Sequence, residues 1–162
     1  MKRTALVTIA LFAGLSSACG FHLRDISNFS SELTRLRLIN VNLNGSQLTQ
    51  LSEVLVKAGA SLMHSDANNP AELRVAIYNL PARNLADDAA TGKKIVQLTK
   101  QLRYSVKKAG DADTLPARVI QRQVNIEQDS NNLLGSESEK QAADEALELQ
   151  LFNQLIFHLQ RL

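Results

Sequence analysis

The chain of 162 residues has the size of one domain, with 18 basic and 16 acidic residues. Lys2 and Arg3 are the only charged residues among the first 18, so the rest of the chain is neutral and its total charge gives no argument for nucleic acid binding. A single cysteine excludes a disulfide framework within the chain, and the absence of tryptophan predicts a core of mainly leucine, isoleucine and valine.

Residues 1–18 have the pattern of a secretory signal peptide. Lys2 and Arg3 give a positive start, residues 5–15 are almost uninterrupted apolar, and three small residues, 16–18, follow. The apolar run is shorter than the roughly 20 residues that a membrane-spanning helix needs, and no later segment is as apolar. The pattern predicts export of a mature chain that does not span a membrane.

The only cysteine, Cys19, directly follows these small residues, and the arrangement resembles the bacterial lipobox. In that motif the cysteine receives a diacylglycerol on its sulfur, becomes the N-terminus after cleavage and is then N-palmitoylated. Ala18 and Ser17 fit the motif, whereas Ser16 departs from it because the large aliphatic residue is Leu15. The alternative is an incidental thiol, which is a liability in an oxidising compartment. The resemblance implies a lipidated Cys19 that anchors the protein to a membrane.

The mature chain is divided into an acylated tether, residues 19–32, and one domain, residues 33–162. The first strand of the domain is predicted over residues 33–41. Its apolar residues change parity between Leu38 and Ile39, which indicates a bulge or burial on both faces.

A first helix follows, with Ser46 as its expected N-cap and Gly59 placed to end it. Three further strands are then predicted. The first runs from Leu73 to Pro81 with a period of two, the second covers residues 94–107, and the third covers residues 117–127. In the second of these, apolar residues alternate with polar ones, as in a sheet with one buried and one hydrated face.

A long helix is predicted at the end of the chain. Ser136 and Glu139 fit a capping box, and the apolar spacing continues to about residue 160. Leu149, Ile156 and Phe157 lie outside the main apolar row, so the stripe is wider than a surface helix requires. The helix either packs against both the sheet and the first helix or offers a surface to a partner.

The predicted order is β-α-β-β-β-α, an α+β fold of two layers. The first two strands are expected to be parallel across the helical connection, and the last three to form an antiparallel meander. The prediction is a mixed four-stranded sheet with both helices on one face.

The sequence has no arrangement of residues that is typical of catalysis. None of the three histidines, His22, His64 and His158, has a second histidine or a carboxylate at metal-ligand spacing. There is no G-x-S-x-G motif and no Gly-rich phosphate loop. We therefore expect no enzymatic activity, no cofactor and no metal.

Charge is unevenly distributed along the mature chain. Residues 89–110 contain six basic residues and no acidic one, and this basic strip consists of Lys93, Lys94, Lys100, Arg103, Lys107 and Lys108. Residues 127–148 are in contrast acidic, and Arg118 and Arg122 could extend the strip on the neighbouring strand. The strip indicates either an anionic ligand or a merely solvated sheet face. Nucleic acid is a poor candidate because the chain is exported and the one aromatic residue within the strip, Tyr104, shares the apolar face of its strand.

The residues that follow the cleavage site, Cys-Gly-Phe-His-Leu-Arg at 19–24, resemble the mature N-terminus of the lipopolysaccharide-assembly lipoproteins, the LptE family (formerly RlpB). The order of tether, strand, helix, three strands and long helix is also similar to that family. The resemblance implies an outer-membrane lipoprotein on the periplasmic side that sits in the lumen of the LptD β-barrel, helps it to assemble, plugs it and binds lipopolysaccharide. Gly20 after the cysteine is consistent with sorting to the outer membrane.

The resemblance also implies which residues bind lipopolysaccharide. The family has basic residues in the loop before the third strand, where this chain has Lys93 and Lys94, and near the start of the last helix, where it has none before Lys140. Together with Arg103, Lys93 and Lys94 are the candidate contacts. The alternative function is a tethered periplasmic carrier of an amphiphilic lipid without a permanent barrel partner, which predicts an apolar pocket between helices and sheet.

Overall fold

The computed structural model describes residues 29–64 and 69–162, and Cys19, the signal peptide and most of the tether lie outside these ranges. The described elements are, in chain order, β1 (Arg35–Asn40), α1 (Gly45–Lys57), β2 (Ser61–Leu62), β3 (Ala71–Asp88), β4 (Lys93–Lys107), β5 (Arg118–Asp129) and α2 (Leu133–Leu159). The strands form one sheet in the order β2-β1-β3-β4-β5.

The sheet is mixed, as predicted. β1 pairs in parallel with β3 across the α1 connection, and β3, β4 and β5 form an antiparallel meander. The predicted number of four strands is wrong, because β2 adds a fifth strand that is parallel to β1. Ser61 N donates to Thr34 O at 2.7 Å and Met63 N to Leu36 O at 2.8 Å. A two-residue strand is too short to show a period, so only its pairing with β1 defines it.

The parity change in β1 is not a bulge. Its register with β3 is continuous from Leu36 to Asn40, and Leu38 and Ile39 are both partly buried. β1 lies between β2 and β3. Of the two interpretations, a bulge or burial on both faces, partial burial of both faces is therefore correct.

β3 does not end at Pro81, where the sequence placed its end, but continues to Asp88. The register with β4 shifts between Leu80 and Arg83, and β1 has already ended its pairing at Val75. Proline lacks the N–H that a strand interior needs, but it is tolerated at a bulge or at an unpaired edge. Pro81 lies at such a place, so the strand passes through it.

Both helices begin at an asparagine that precedes the predicted cap. The Asn44 side chain accepts from Gln47 N at 2.8 Å while the Gln47 side chain accepts from Asn44 N at 3.1 Å, a complete capping box for α1. Asn132 caps α2 by accepting from Gly135 N at 3.1 Å. The hydroxyl of Ser136, the predicted cap, accepts from Asp129 N at 2.8 Å instead and ties α2 to the end of β5.

Most of the buried side chains belong to one cluster, called here the proximal core. It combines alternate residues of β1, β3, β4 and β5 with residues of both helices, so both helices cover the same face of the sheet, as predicted. Its fully buried members include Leu36, Leu51, Leu55, Leu73, Val75, Leu102, Leu151, Phe152, Leu155 and Leu159.

A second, smaller cluster, the distal core, consists of four buried residues: Val96, Leu98, Ile126 and Leu147. Around it the ends of β3 and β5, the start of β4 and the first half of α2 form a part of the molecule called here the distal arm, residues 81–99 and 124–147. α1 has only 13 residues and contributes nothing to this second cluster.

The wide apolar stripe of α2 consists of a buried part and an exposed part. Ile156 is buried in the proximal core together with residues of α1, which explains part of the width by helix packing. The side chains of Leu149 and Phe157 are about half-exposed and lie beside α1 on the outer surface of the helix layer. In the part of the chain that is described, neither helix has the length and the apolar character needed to cross a membrane.

Candidate functional site

The distal arm ends in a tip formed by two loops, residues 88–93 and 129–134. In the first loop the Asp88 carboxylate accepts from Thr91 Oγ1 at 2.8 Å and from Ala90 N at 3.0 Å. These hydrogen bonds, that of Thr91 foremost, lower the pKa of Asp88 below its usual value. The carboxylate therefore stays ionised and holds the turn between β3 and β4.

Hydrogen bonds join the two loops to each other. Ser130 donates to Gly92 O from its backbone N and from its hydroxyl, both at 3.0 Å, and Asn131 Nδ2 donates to Thr91 O at 3.1 Å. Gly92 has φ +70°, and a Cβ at this position would meet Ser130 Oγ at 2.5 Å. Glycine is thus required here for its backbone conformation and for the close approach of the second loop.

Lys93 and Lys94 lie at this tip, on opposite faces of β4 because they are adjacent in a strand. Lys93 Nζ lies 2.6 Å from Glu127 Oε1, and this hydrogen-bonded ion pair raises the pKa of Lys93. Lys94 Nζ lies 3.8 Å from Asp87 Oδ2. Both lysine side chains are about half-exposed, so they remain reachable from solvent although each has an acidic neighbour.

The basic strip is therefore not the single cationic surface that its sequence suggests. Acidic residues of β3 and β5 lie across from Lys93, Lys94 and Lys107 in the sheet register. Arg103 lies ten residues from Lys93 along β4, roughly 34 Å at 3.4 Å per residue, opposite Ala76 and Val119. The structure brings Lys93 and Lys94 to one end of the strand and does not bring Arg103 together with them.

Lys100, another member of the strip, points into the helix layer. Its side chain is 5% exposed, and Nζ lies 2.6 Å from Glu148 Oε1 and 3.5 Å from Asp144 Oδ1. Gln47 Nε2 donates to the same Glu148 oxygen at 2.7 Å. The cluster links α1, α2 and β4 between the proximal and distal cores. The sequence contained a sign of this burial, because Lys100 alternates in phase with Leu98 and Leu102 and therefore lies on the same strand face.

Two leucines at the tip are the most exposed large apolar side chains among the described residues. Leu133 is 72% and Leu134 is 88% exposed at the start of α2, beside the loop that holds Lys93. The sequence predicts that the last strand ends at residue 127 and that the helix begins at Ser136, so these two leucines fall between predicted elements and receive no role. An exposed Leu-Leu pair in a polar loop was the signal that could have identified them.

The sheet face opposite the helices carries polar residues along β4 together with exposed apolar side chains, which include Val41, Tyr78 and Val119. Arg37 forms an ion pair of 2.6 Å with Glu72 there, and Gln97 Nε2 donates to Asn125 Oδ1 at 3.3 Å. Both helices pack on the other side, so among the described residues no element covers this face. It is a hydrated surface with cross-strand polar pairs, as the alternation in residues 94–107 predicts.

The cavities in the helix layer bear on the lipid-carrier alternative. Leu51, Leu73 and Phe152 are fully buried and belong to the same tightly packed cluster. A cavity of about 490 Å³ instead opens outward between α1 and α2, where Leu149, Ile156 and Phe157 line it. It is therefore a groove on the outside of the helix layer rather than a pocket between helices and sheet. The described residues include no group of three histidine, cysteine or acidic side chains that could hold a metal ion.

Comparison of the structure with solved structures relates the fold to bacterial lipoproteins. A minor lipoprotein from Acinetobacter baumannii matches with a TM-score of 0.62 at 15% identity, over 80% of this chain and 92% of that one. Rare lipoprotein B from Shewanella oneidensis matches with 0.58 at 14% identity, over 76% and 91%. An uncharacterized lipoprotein B from Nitrosomonas europaea matches with 0.59 at 13% identity, over 85% and 88%. No family sequence model and no curated protein sequence matches the chain. The chain shares its fold with these lipoproteins.

Proposed function

We propose that this chain is a non-catalytic outer-membrane lipoprotein, acylated at Cys19, that assembles with and plugs an LptD-type β-barrel and takes part in lipopolysaccharide transport to the outer-membrane surface. The observation that carries the proposal is that two loops are joined at the tip. The resemblance of residues 19–24 associates two separate loops with lipopolysaccharide binding, and Ser130 and Asn131 hydrogen-bond these same two loops together.

The chemistry of the tip suits an amphiphile with phosphate groups. Lys93 and Lys94 offer half-exposed ammonium groups, which are natural partners of phosphate. Leu133 and Leu134 offer apolar surface a few residues away. Lipid A combines phosphates with acyl chains, so a surface with both features can contact both parts of the molecule.

The sheet face opposite the helices supports the second part of the proposal. A face with cross-strand pairs such as Gln97 with Asn125 can remain hydrated, and the lumen of a large β-barrel is polar and water-filled. The fold shared with lipoproteins supports the membrane anchor.

Co-purification from the native host tests the barrel partnership. The lipoprotein, tagged at its C-terminus and extracted in a mild non-ionic detergent, should recover a large outer-membrane barrel protein in stoichiometric amount. The Cys19→Ala variant should move to the soluble periplasmic fraction. Recovery of the wild-type lipoprotein without any barrel protein would refute the partnership.

A double variant, Lys93→Ala with Lys94→Ala, tests the tip. We expect weaker binding to lipopolysaccharide with nearly unchanged thermal stability, because both side chains are half-exposed and their ion pairs lie on the surface. The matched control is Lys57→Ala with Lys107→Ala, which removes the same charge from α1 and from the other end of β4. Equal binding by both double variants would show that the tip is not the site.

The lipid-carrier alternative has less support. It needs an interior cavity, whereas the side chains between helices and sheet are packed at zero exposure. Co-purified lipid in a barrel-free preparation would favour it.

A further inference from the structure

A second cluster of basic side chains lies at the outer edge of the sheet, near the C-terminal end of α2. Arg118 and Arg122 are on the helix side of β5, in register with Tyr104 and Lys100 of β4. The Tyr104 hydroxyl lies 3.0 Å from His158 Nδ1, and the charge of the nearby Arg118 guanidinium acts on the same hydroxyl. Tyr104, His158 and Arg118 thus lie together where β4, α2 and β5 meet, and Arg122 lies on the same side of β5.

A surface cavity of about 660 Å³ opens beside this set. Arg122 and His158 line it from the two elements, and the amides Gln150, Asn153 and Gln154 complete its wall. Apart from Phe157, its lining is thus cationic, hydrogen-bonding or both. Among the residues that the structure describes, no acidic side chain takes part in the lining.

Arg161 adds a further positive charge. Its guanidinium carbon lies 3.8 Å from the centre of the Phe157 ring, a cation–π contact that holds the charge against the ring. Phe157 also lines the cavity, so Arg161 is held next to it.

The arginines of this cluster lack the acidic partners that the lysines of the tip have. Among the described residues, no ion pair involves Arg118, Arg122 or Arg161. The nearest acidic residues of α2, Glu148 and Asp144, pair with Lys100, and α2 has no acidic residue beyond Glu148.

The titration of His158 reflects this excess of positive charge. Burial lowers the pKa of His158, and Arg118, Arg161 and Arg122 lower it further. The other groups that face the ring are Tyr104, which burial keeps neutral by raising its pKa, and the uncharged amides of α2. An anion bound among these groups would offset the repulsion and raise the pKa of His158.

We propose that Arg118, Arg122 and His158, with Arg161 beside them, form a binding site for a phosphate group. A phosphate carries up to two negative charges and three acceptor oxygens, which match several guanidinium groups and an imidazole, whereas a carboxylate would neutralise only one of the charges. Arg118 and Arg122 are in register with Tyr104 and Lys100, which lie eleven and seven residues along β4 from Lys93, so the site is separate from the tip and does not depend on the proposed function.

The phosphate can belong to a free anion or to the headgroup of an amphiphile. The groove lined by Leu149, Ile156 and Phe157 adjoins the site, because Asn153 and Phe157 line both cavities. An acyl chain attached to the bound phosphate would find apolar surface there. The two sources differ in whether this groove contributes to affinity.

The test is a titration of the whole chain, in a neutral detergent, followed by NMR of the His158 ring. We expect inorganic phosphate at millimolar concentration to shift the His158 signals saturably and to raise the pKa of His158. Arg118→Gln with Arg122→Gln should weaken binding about a hundredfold, since each lost charged hydrogen bond corresponds to about tenfold. Arg35→Gln is the matched control, because Arg35 is an exposed arginine on β1.

The outcomes distinguish the sources. Dihexanoyl phosphatidic acid below its micelle concentration should bind more tightly than inorganic phosphate if the ligand is an amphiphile, and no more tightly if it is a free anion. Either result supports the phosphate site. A linear, unsaturable response to phosphate, or an equal loss of affinity in Arg35→Gln, would overturn it, as would saturable binding of an acidic peptide but not of phosphate.

Discussion

The proximal core and the distal arm are built from the same strands but differ in how they are covered. Two helices cover the sheet around the proximal core, and eleven of its larger side chains are almost completely inaccessible to solvent. Only α2 covers the distal arm, where the buried cluster has four members and the tip exposes Leu133 and Leu134. Stability is therefore concentrated at one end, and the most exposed apolar side chains lie at the other, as is common because binding surfaces require exposed groups on a rigid base.

The ion cluster of Lys100 lies at the boundary between the two regions. Lys100 precedes Leu102 of the proximal core and follows Leu98 of the distal core on the same strand face. Its partners Glu148 and Asp144 are on α2, and Gln47 is on α1. Electrostatic pairing thus continues the contact between sheet and helices where apolar packing is interrupted.

The largest expected effect is in the proximal core. Phe152→Ala removes a fully buried aromatic side chain and should lower the free energy of unfolding by about 4 kcal/mol, whereas Leu147→Ala in the small distal core should cost about 2 kcal/mol. Urea unfolding followed by circular dichroism measures both values. Equal losses would mean that the two cores do not differ in packing as described.

Lys100→Met should have the next largest effect, about 3 kcal/mol, because Glu148 would remain buried without its cation. The double variant Lys100→Met with Glu148→Leu removes both charges and should be more stable than Lys100→Met. If the single variant were as stable as the wild type, the cluster would not join the two regions energetically.

Gly92→Ala should cost about 1–2 kcal/mol, because alanine is strained at φ +70° and its Cβ would displace Ser130. Amide hydrogen exchange should accelerate in the tip and stay unchanged in the proximal core. Gly45→Ala is the control, since no atom lies within 4 Å of a Cβ there. Faster exchange throughout the molecule would contradict the separation of the two regions.

The smallest effect concerns pH. Because the folded state lowers the pKa of His158 below 6.5, the unfolded state binds the proton more readily, and the free energy of unfolding should fall as pH drops below about 6.5. Above that pH His158 contributes no slope, and Asp88, with a pKa lowered from 3.8, acts only under more acidic conditions. His158→Gln should flatten the stability profile between pH 7 and pH 5. An unchanged profile would assign the slope to other groups.

Local patterns predicted most of the architecture. Alternation in residues 94–107 identified the buried and hydrated faces of β4, and helical spacing identified both helices, because these periods depend only on backbone geometry. The lipidation of Cys19 stays a prediction, because that residue lies outside the described ranges. β2, the passage of β3 through Pro81 and the two asparagine caps were missed, since each depends on which neighbouring group supplies or needs a hydrogen bond.

The candidate sites also divide into features that the sequence predicted and features that only the structure revealed. The sequence by itself determined that Lys93 and Lys94 lie near a turn and that residues 89–110 are basic. Only the tertiary structure decided that Glu127 neutralises Lys93, that Lys100 is buried, and that unpaired arginines collect around His158. The reason is physical: the charge that a side chain experiences depends on its cross-strand and cross-layer neighbours, and these are fixed by strand register and helix packing rather than by proximity along the chain.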